Sequence, residues 1–195
     1  MRPDDRNKSC KFVGDGAEVQ KRGEARGYST AMNTRELTAT LTTLFGELVD
    51  GPSGQSAHML NRGDVGLLRS LDKLTARQAS LASSEGASIA AHVDHLRYGL
   101  SLLNRWSRGE NPFETADWTV SWRITTVTEE EWSRLRTELR AEAHRWAAAI
   151  GEPRDVLPTE LADMIGSVAH LAYHLGAIRQ IDRATRGPAE PLRTH

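Results

Sequence analysis

The chain has 195 residues, which is enough for one domain with a substantial core. Its net charge of −1 gives no general attraction for nucleic acid or acidic membranes. No apolar run approaches the roughly 20 residues that cross a bilayer, and the charged N-terminus lacks the apolar stretch of a secretory signal. A single cysteine, Cys10, fits a reducing compartment, so we expect a cytoplasmic protein.

The first 31 residues differ in composition from the rest of the chain. Residues 1–31 carry many charges and glycines and have no apolar period, which predicts a disordered leader. An amphipathic pattern begins directly after Met32, so we expect the folded domain over residues 32–186 and treat Met32 as a candidate natural start. Residues 187–195 are expected to form a loose C-terminal tail.

The first predicted helix begins at a cap formed by Asn33 or Thr34 and ends at the turn-forming residues 50–54. A shorter leucine stripe over residues 67–74 and a serine-rich loop over residues 80–88 follow it. The apolar residues of the first helix recur at helical spacing: Leu37, Leu41, Leu44, Phe45 and Leu48.

The second long helix is predicted from about Ser88 to Arg108, where Gly109 and Pro112 end it. Residues 109–127 then form an irregular crossover. Aromatic residues in and around this crossover could act as a lid over a pocket or as packing that closes one end of the domain, and we favour packing. They are Trp106, Phe113, Trp118, Trp122 and Trp132.

The third long helix has the clearest start signal in the chain. Thr128 is followed three residues later by Glu131, which predicts a capping box, and Val127 and Trp132 occupy the positions of a hydrophobic staple. The apolar period continues to Gly151.

A last long helix is predicted to begin at a Thr159 cap and to be closed by Gly187 and Pro188. Strand signals are scarce. Four principal helices without a sheet predict an all-α four-helix bundle of up-down type with one longer crossover.

Four of the seven histidines fall in two close pairs: His92 with His95, and His170 with His174. Residues three or four apart share a helix face, with their Cβ atoms about 5–6 Å apart. Two imidazoles at that spacing can bind one metal ion, and a third from a facing helix would complete a three-histidine site with an open position for water. Alternatively, the histidines are buried structural residues that hydrogen-bond to backbone carbonyls. The sequence pattern favours neither the metal site nor the structural role.

The pattern also leaves the third ligand open. His174 lies between Leu171 and Ile178 on the apolar face of its helix, with His170 at the flank of that face. On the earlier helix, His92 lies nearer the centre of the apolar stripe than His95 does. Periodicity therefore favours His92.

Two segments carry a resemblance to a known family. Residues 88–98 read Ser-Ile-Ala-Ala-His-Val-Asp-His-Leu-Arg-Tyr, and residues 167–181 read Ser-Val-Ala-His-Leu-Ala-Tyr-His-Leu-Gly-Ala-Ile-Arg-Gln-Ile. Together they resemble the DinB/YfiT-like superfamily of bacterial four-helix bundles, and the likeness covers roughly residues 32–185. That family takes one metal ligand from the second bundle helix, in an Ile-Ala-x-x-x-x-His context, and two from a His-x-x-x-His pair on the last.

The resemblance implies that His95, His170 and His174 bind a divalent metal ion, with zinc or nickel first and iron or manganese as alternatives. It further implies thiol-dependent S-transferase chemistry or metal-dependent isomerisation of a thiol conjugate. We therefore expect a metal-dependent enzyme with S-transferase or hydrolase-type chemistry on a small molecule, and a low-molecular-weight thiol is a candidate substrate. The alternative is a non-catalytic, metal-stabilised bundle that acts as a dimerisation or regulatory module. A homodimer is expected in either case, and no catalytic residue is assigned.

The remaining polar candidates are weaker. His58, His144 and the terminal His195 are not assigned to the site. No basic stripe or groove-reading motif supports a nucleic-acid partner. Five residues could support the metal ligands, although solvated helix faces and packing at the edge of the core explain them more simply: Asp94, Tyr98, Asp163, Tyr173 and Arg179.

Overall fold

The computed structural model of the protein describes residues 34–54, 56–83 and 86–189. Within these ranges the fold is all-α, as predicted, and the only β feature is an isolated antiparallel bridge between Ala82 and Ser88. No helix in this part of the chain is both long enough and apolar enough to cross a bilayer.

Six α-helices and three short 3₁₀ turns make up the described fold. The helices are α1 (Thr34–Asp50), α2 (Gly66–Asp72), α3 (Ala76–Ala79), α4 (Ile89–Trp106), α5 (Glu129–Gly151) and α6 (Pro158–Ile181). The 3₁₀ turns are Pro112–Thr115, Val120–Arg123 and Arg183–Thr185. The predicted leader at residues 1–31 and the Asn33 cap lie outside the described residues.

The four long helices share one apolar core. Helix α4 packs against α5 and α6, and α1 packs against the same two helices. Each of the four packs apolar side chains against the others, and their burial removes the largest side chains from water. The largest of them are Phe45, Leu48, Ile89, Leu96, Trp132, Leu139, Trp146, Ile150, Met164 and Leu171.

The helix starts follow local capping rules. The Thr128 hydroxyl accepts a hydrogen bond from the Glu131 backbone N–H, and the Glu131 carboxylate accepts one from the Thr128 backbone N–H, which confirms the predicted capping box. The predicted Thr159 cap is wrong. Helix α6 begins at Pro158, whose fixed φ suits the first helical position, and its first turn is closed by Glu160.

Two further differences arise from local hydrogen bonds. A capping box between Thr75 and Gln78 starts the short helix α3, where the sequence predicts no helix. At the other end, α6 stops at Ile181 rather than at Gly187, because Asp182 adopts an extended conformation and its carboxylate accepts a hydrogen bond from the Ala184 backbone N–H. The helix therefore ends six residues before the predicted glycine-proline stop.

The crossover between α4 and α5 is fastened to α4. The Ser121 hydroxyl donates a hydrogen bond to the buried Asp94 carboxylate at 2.6 Å. The Ser88 hydroxyl, which also caps α4, donates to the Ile124 carbonyl at 2.7 Å. These two bonds lie on either side of Trp122 and hold this part of the crossover against the helix.

Candidate metal centre

Three of the predicted histidines meet between α4 and α6. His95 comes from α4, His170 and His174 come from consecutive turns of α6, and their ring nitrogens lie within 4.8 Å of one another. The Nε2 atom of His170 is 3.2 Å from Nε2 of His95 and 2.9 Å from Nε2 of His174. The structure thus brings the three residues into one group that could hold a metal ion.

Hydrogen bonding alone does not account for these contacts. An imidazole nitrogen carries either one hydrogen or one lone pair, directed along a single line in the ring plane. The Nε2 atom of His170 faces two other Nε2 atoms and can make a linear hydrogen bond with only one of them. A cation placed among the three nitrogens would use a lone pair from each.

The spacing of the nitrogens also suits a small cation. A tetrahedral ion with metal–nitrogen bonds of about 2.0–2.1 Å holds its ligand atoms about 3.3 Å apart. The two short Nε2–Nε2 distances of 3.2 and 2.9 Å are close to that value. Three neutral nitrogen donors are a set that zinc, nickel and iron accept.

Burial keeps these imidazoles neutral. His174 is 3% exposed and His95 is 8% exposed. Burial, together with the neighbouring histidines, lowers the imidazole pKa of His174 to about 2 and that of His95 to about 4, although Asp94 opposes the shift at His95. Burial also lowers the pKa of His170. The group therefore has free lone pairs at neutral pH, which is the state that binds a metal.

His92 takes a different position from the one that periodicity suggests. Its Nδ1 atom lies 2.9 Å from Nδ1 of His174, on the other side of that ring from Nε2. The group of three ring nitrogens that could share one ion contains His95 and not His92. The ligand set itself stays a prediction, but the placement favours the choice implied by the family resemblance.

Two tryptophans of the crossover pack on this group. The Trp122 ring stacks on the His95 ring with centroids 4.4 Å apart, and Trp118 lies 5.6 Å from the same imidazole. Both remain partly open to solvent, at 39% and 37% exposure. Trp132 is different: it is fully buried and its Nε1–H donates to the Leu74 carbonyl. The aromatic cluster is thus divided, with one part in the core and one part at the histidines.

Asp94, Tyr98 and Tyr173 lie around the histidine group. The Asp94 carboxylate is buried, and it accepts hydrogen bonds from Ser121 and from the Arg97 guanidinium, so it is not a solvated residue of the helix surface. The Tyr98 hydroxyl accepts from the Asp117 backbone N–H. Tyr173 packs edge-on against His174 with ring centroids 5.0 Å apart.

Arg179 and Asp163 have other surroundings. The Arg179 guanidinium pairs with the buried Asp64 carboxylate at 2.8 Å and joins α6 to the segment before α2. Asp163 lies about two helical turns before His170, and burial with the nearby Glu160 charge raises its carboxyl pKa.

Two of the unassigned histidines, His58 and His144, lie apart from the group. The exposed His144 imidazole is 3.1 Å from the Asp50 carboxylate, and the His58 backbone N–H donates to Glu47. His195 lies outside the described residues. Ser121 was not predicted, since a serine in an irregular crossover gives no sequence signal of a partner 27 positions away.

No protein-family model, curated protein or solved structure matches this chain.

Proposed function

We propose that the protein is a metal-dependent enzyme in which His95, His170 and His174 hold one divalent ion through their Nε2 atoms. The observation that carries this proposal is the double contact of His170 Nε2, which hydrogen bonds alone do not satisfy. Zinc and nickel are the first candidates for the ion, with iron and manganese as alternatives.

We also propose that α1, α4, α5 and α6 form a four-helix bundle of the DinB/YfiT-like type. Two features support this assignment. The candidate ligands lie on the second and the last of the long helices, as in that family, and the long irregular connection lies between the second and third.

The proposed reaction is transfer of a low-molecular-weight thiol to a small electrophile, or hydrolysis of a small molecule. A bound divalent ion supplies positive charge that lowers the pKa of a thiol or a water molecule. In the transfer, the sulfur bonds to a carbon of the electrophile, the leaving group departs with the electron pair of its bond to that carbon, and the thiol proton passes to solvent. Three neutral imidazoles suit this chemistry because they leave the charge of the ion undiminished.

The tryptophans of the crossover would bind the apolar part of the substrate. Trp118 and Trp122 contact His95 and still expose more than a third of their surface. An aromatic face beside a polar reaction centre is a common arrangement in small-molecule sites. We therefore expect substrates with an apolar or aromatic group close to the reacting carbon.

Metal binding is the first test. Protein purified without chelator is analysed for metal content, and metal-free protein is then titrated with zinc, nickel, cobalt, iron or manganese during thermal unfolding. At a free metal concentration about 100-fold above Kd, binding stabilises the fold by about 2.7 kcal/mol, which corresponds to a rise in Tm of roughly 5–10 °C. His174→Asn should abolish the rise and His144→Asn should not. An unchanged Tm with every metal would refute the proposal.

The second candidate is a non-catalytic module that pairs with another copy of itself. Helix α6 has no charged side chain between Asp163 and Arg179, and its outer face exposes Ile165 at 49% and Tyr173 at 70%. A helix that is apolar on all sides is usually buried, so this face suits a partner of the same kind.

Sedimentation equilibrium tests the pairing. The unmodified protein is expected to be a dimer and Ile165→Lys a monomer, whereas Thr137→Lys on the exposed side of α5 should change nothing. A monomeric unmodified protein would exclude the homodimer. A metal-loaded dimer without turnover on a panel of thiols and electrophiles would favour the binding module over the enzyme.

A further inference from the structure

His92 lies behind the candidate metal centre, against the ring of His174. The two rings meet through their Nδ1 atoms at 2.9 Å, and ring nitrogens at that distance form a hydrogen bond. We propose that His92 is a positioning residue: its Nδ1 accepts a hydrogen bond from Nδ1–H of His174 and thereby makes His174 present the lone pair of Nε2 to the metal. This inference depends on the proposed metal site.

Only one placement of the ring hydrogens on His174 and His92 allows His174 to bind a metal through Nε2. If His174 binds a metal through Nε2, that nitrogen carries a lone pair, so the hydrogen of its neutral ring is on Nδ1. The Nδ1 atom of His92 must then be the acceptor, and the hydrogen of His92 is on its Nε2.

The opposite arrangement disables the centre. If His92 donated through Nδ1, the Nδ1 atom of His174 would carry the lone pair and its Nε2 would carry the hydrogen. That hydrogen would point toward Nε2 of His170, 2.9 Å away, and His174 could not bind a metal there. The tautomer of His92 therefore determines whether the group has three lone pairs or two.

The ring of His92 is held in place from a second side. Trp122 meets it edge-on with centroids 5.5 Å apart and an interplanar angle of 80°. The same tryptophan stacks on His95, so one crossover residue contacts both α4 histidines. By contrast, Nδ1 of His95 is buried and has no hydrogen-bond partner among the residues that the structure describes. Positioning by a histidine acceptor is thus a feature of His174 and not of His95.

A neutral acceptor has a chemical consequence. The second ring nitrogen of a metal-binding histidine commonly donates to a carboxylate, a backbone carbonyl or water, and a carboxylate makes the ligand more basic. His92 orients the ring without adding negative charge. The centre would then keep more of the positive charge of the ion for a substrate thiol or water.

The experiment compares two substitutions at this position. His92→Leu removes the acceptor, whereas His92→Asn places an amide oxygen near the position of Nδ1. Cobalt affinity is measured by competition with a chelator, the ligand geometry by the visible spectrum of bound cobalt, and the tautomers by ¹⁵N NMR of the zinc-loaded, histidine-labelled protein. His144→Leu, an exposed histidine, is the matched control.

We expect His92→Leu to weaken cobalt binding about 10–100-fold, and His92→Asn to restore most of the affinity and the same cobalt spectrum. The NMR spectrum should show Nδ1–H on His174 and Nε2–H on His92. The NMR measurement uses the unmodified protein, so it tests the proposed tautomers even if His92→Leu does not fold.

Three results would overturn the inference. Cobalt binding by His92→Leu equal to that of the unmodified protein would remove the positioning role and leave the metal site intact. Complete loss of cobalt binding in both His92 variants, equal to the loss in His95→Asn, would indicate that His92 is itself a metal ligand. An Nε2–H tautomer on zinc-loaded His174 would contradict the proton assignment. Failure of the proposed function itself is distinguishable, because the unmodified protein would then bind no metal.

Discussion

Acidification from about pH 7 to about pH 5 should destabilise the metal-free protein through its buried histidines. In the folded state, burial and the neighbouring histidines lower the pKa of His174 to about 2 and that of His95 to about 4. In the unfolded chain both imidazoles take up a proton near pH 6.5. The unfolded state therefore binds more protons in this window, so the free energy of unfolding falls as the pH falls.

The size of the effect follows from the same pKa values. Each histidine that stays neutral in the folded state lowers the free energy of unfolding by about 1.4 kcal/mol for every pH unit below its unfolded pKa. By pH 5 the loss is about 2 kcal/mol for each such histidine. His174 and His95 together should remove about 4 kcal/mol, which is a large part of the stability of a typical domain. Glu47, whose pKa is lowered, titrates below the window, whereas Asp163, whose pKa burial raises, opposes part of the loss.

Urea unfolding with chelator present, at about pH 7, 6 and 5, measures the free energy of unfolding and its slope with pH. His174→Asn removes one titrating group, so its slope should be smaller than that of the unmodified protein. The double variant with His95→Asn should have a smaller slope still, and the slope that remains comes from His92 and His170, whose pKa burial also lowers. A flat profile for the unmodified protein, or an equal slope in the double variant, would refute the assignment of neutral buried imidazoles.

Three other outcomes are expected. Asp64→Ala should cost about 3–5 kcal/mol of unfolding free energy because it leaves the Arg179 guanidinium without its buried partner, and Arg179→Met in the same chain should recover part of the loss in urea unfolding. Glu47→Gln should cost about 2 kcal/mol in the same assay, since the carboxylate accepts three backbone hydrogen bonds from residues 58–60, and an unchanged midpoint would contradict this. Nickel or cobalt should quench tryptophan fluorescence, and a Trp118→Phe, Trp122→Phe double variant should lose most of that quenching, whereas quenching of equal extent would place the ion elsewhere.

The sequence predicts the long helices well because their signals are local. The apolar period of each helix and the Thr128–Glu131 box depend on residues within one or two turns. The sequence also identifies the pair His170 and His174, because their spacing alone places them on one helix face. What it leaves open is the rotation of α4 against α6, which decides whether His92 or His95 approaches the pair.

That rotation is set by contacts far apart in the chain. Periodicity places His92 nearer the middle of the apolar stripe, yet His95 and not His92 lies in the group of nitrogens that could share an ion. The crossover contributes to this arrangement through the hydrogen bond between Ser121 and Asp94 and the stacking of Trp122 on His95. Neither contact can be predicted from the sequence, because the irregular crossover has no repeating apolar pattern that would indicate which of its side chains pack against α4.

The hydrogen bond between Ser121 and Asp94 has a consequence for altering the protein. Asp94 precedes His95 on α4, so the anchor of the crossover and a candidate ligand are neighbours on one helical turn. Trp118 and Trp122 lie on either side of that anchor. A library that varies Trp118 and keeps Ser121 and Trp122 would change the shape of the wall beside the histidines while its attachment to α4 stays the same. For the proposed enzyme, substrate preference would then be evolved separately from the geometry of the histidine group.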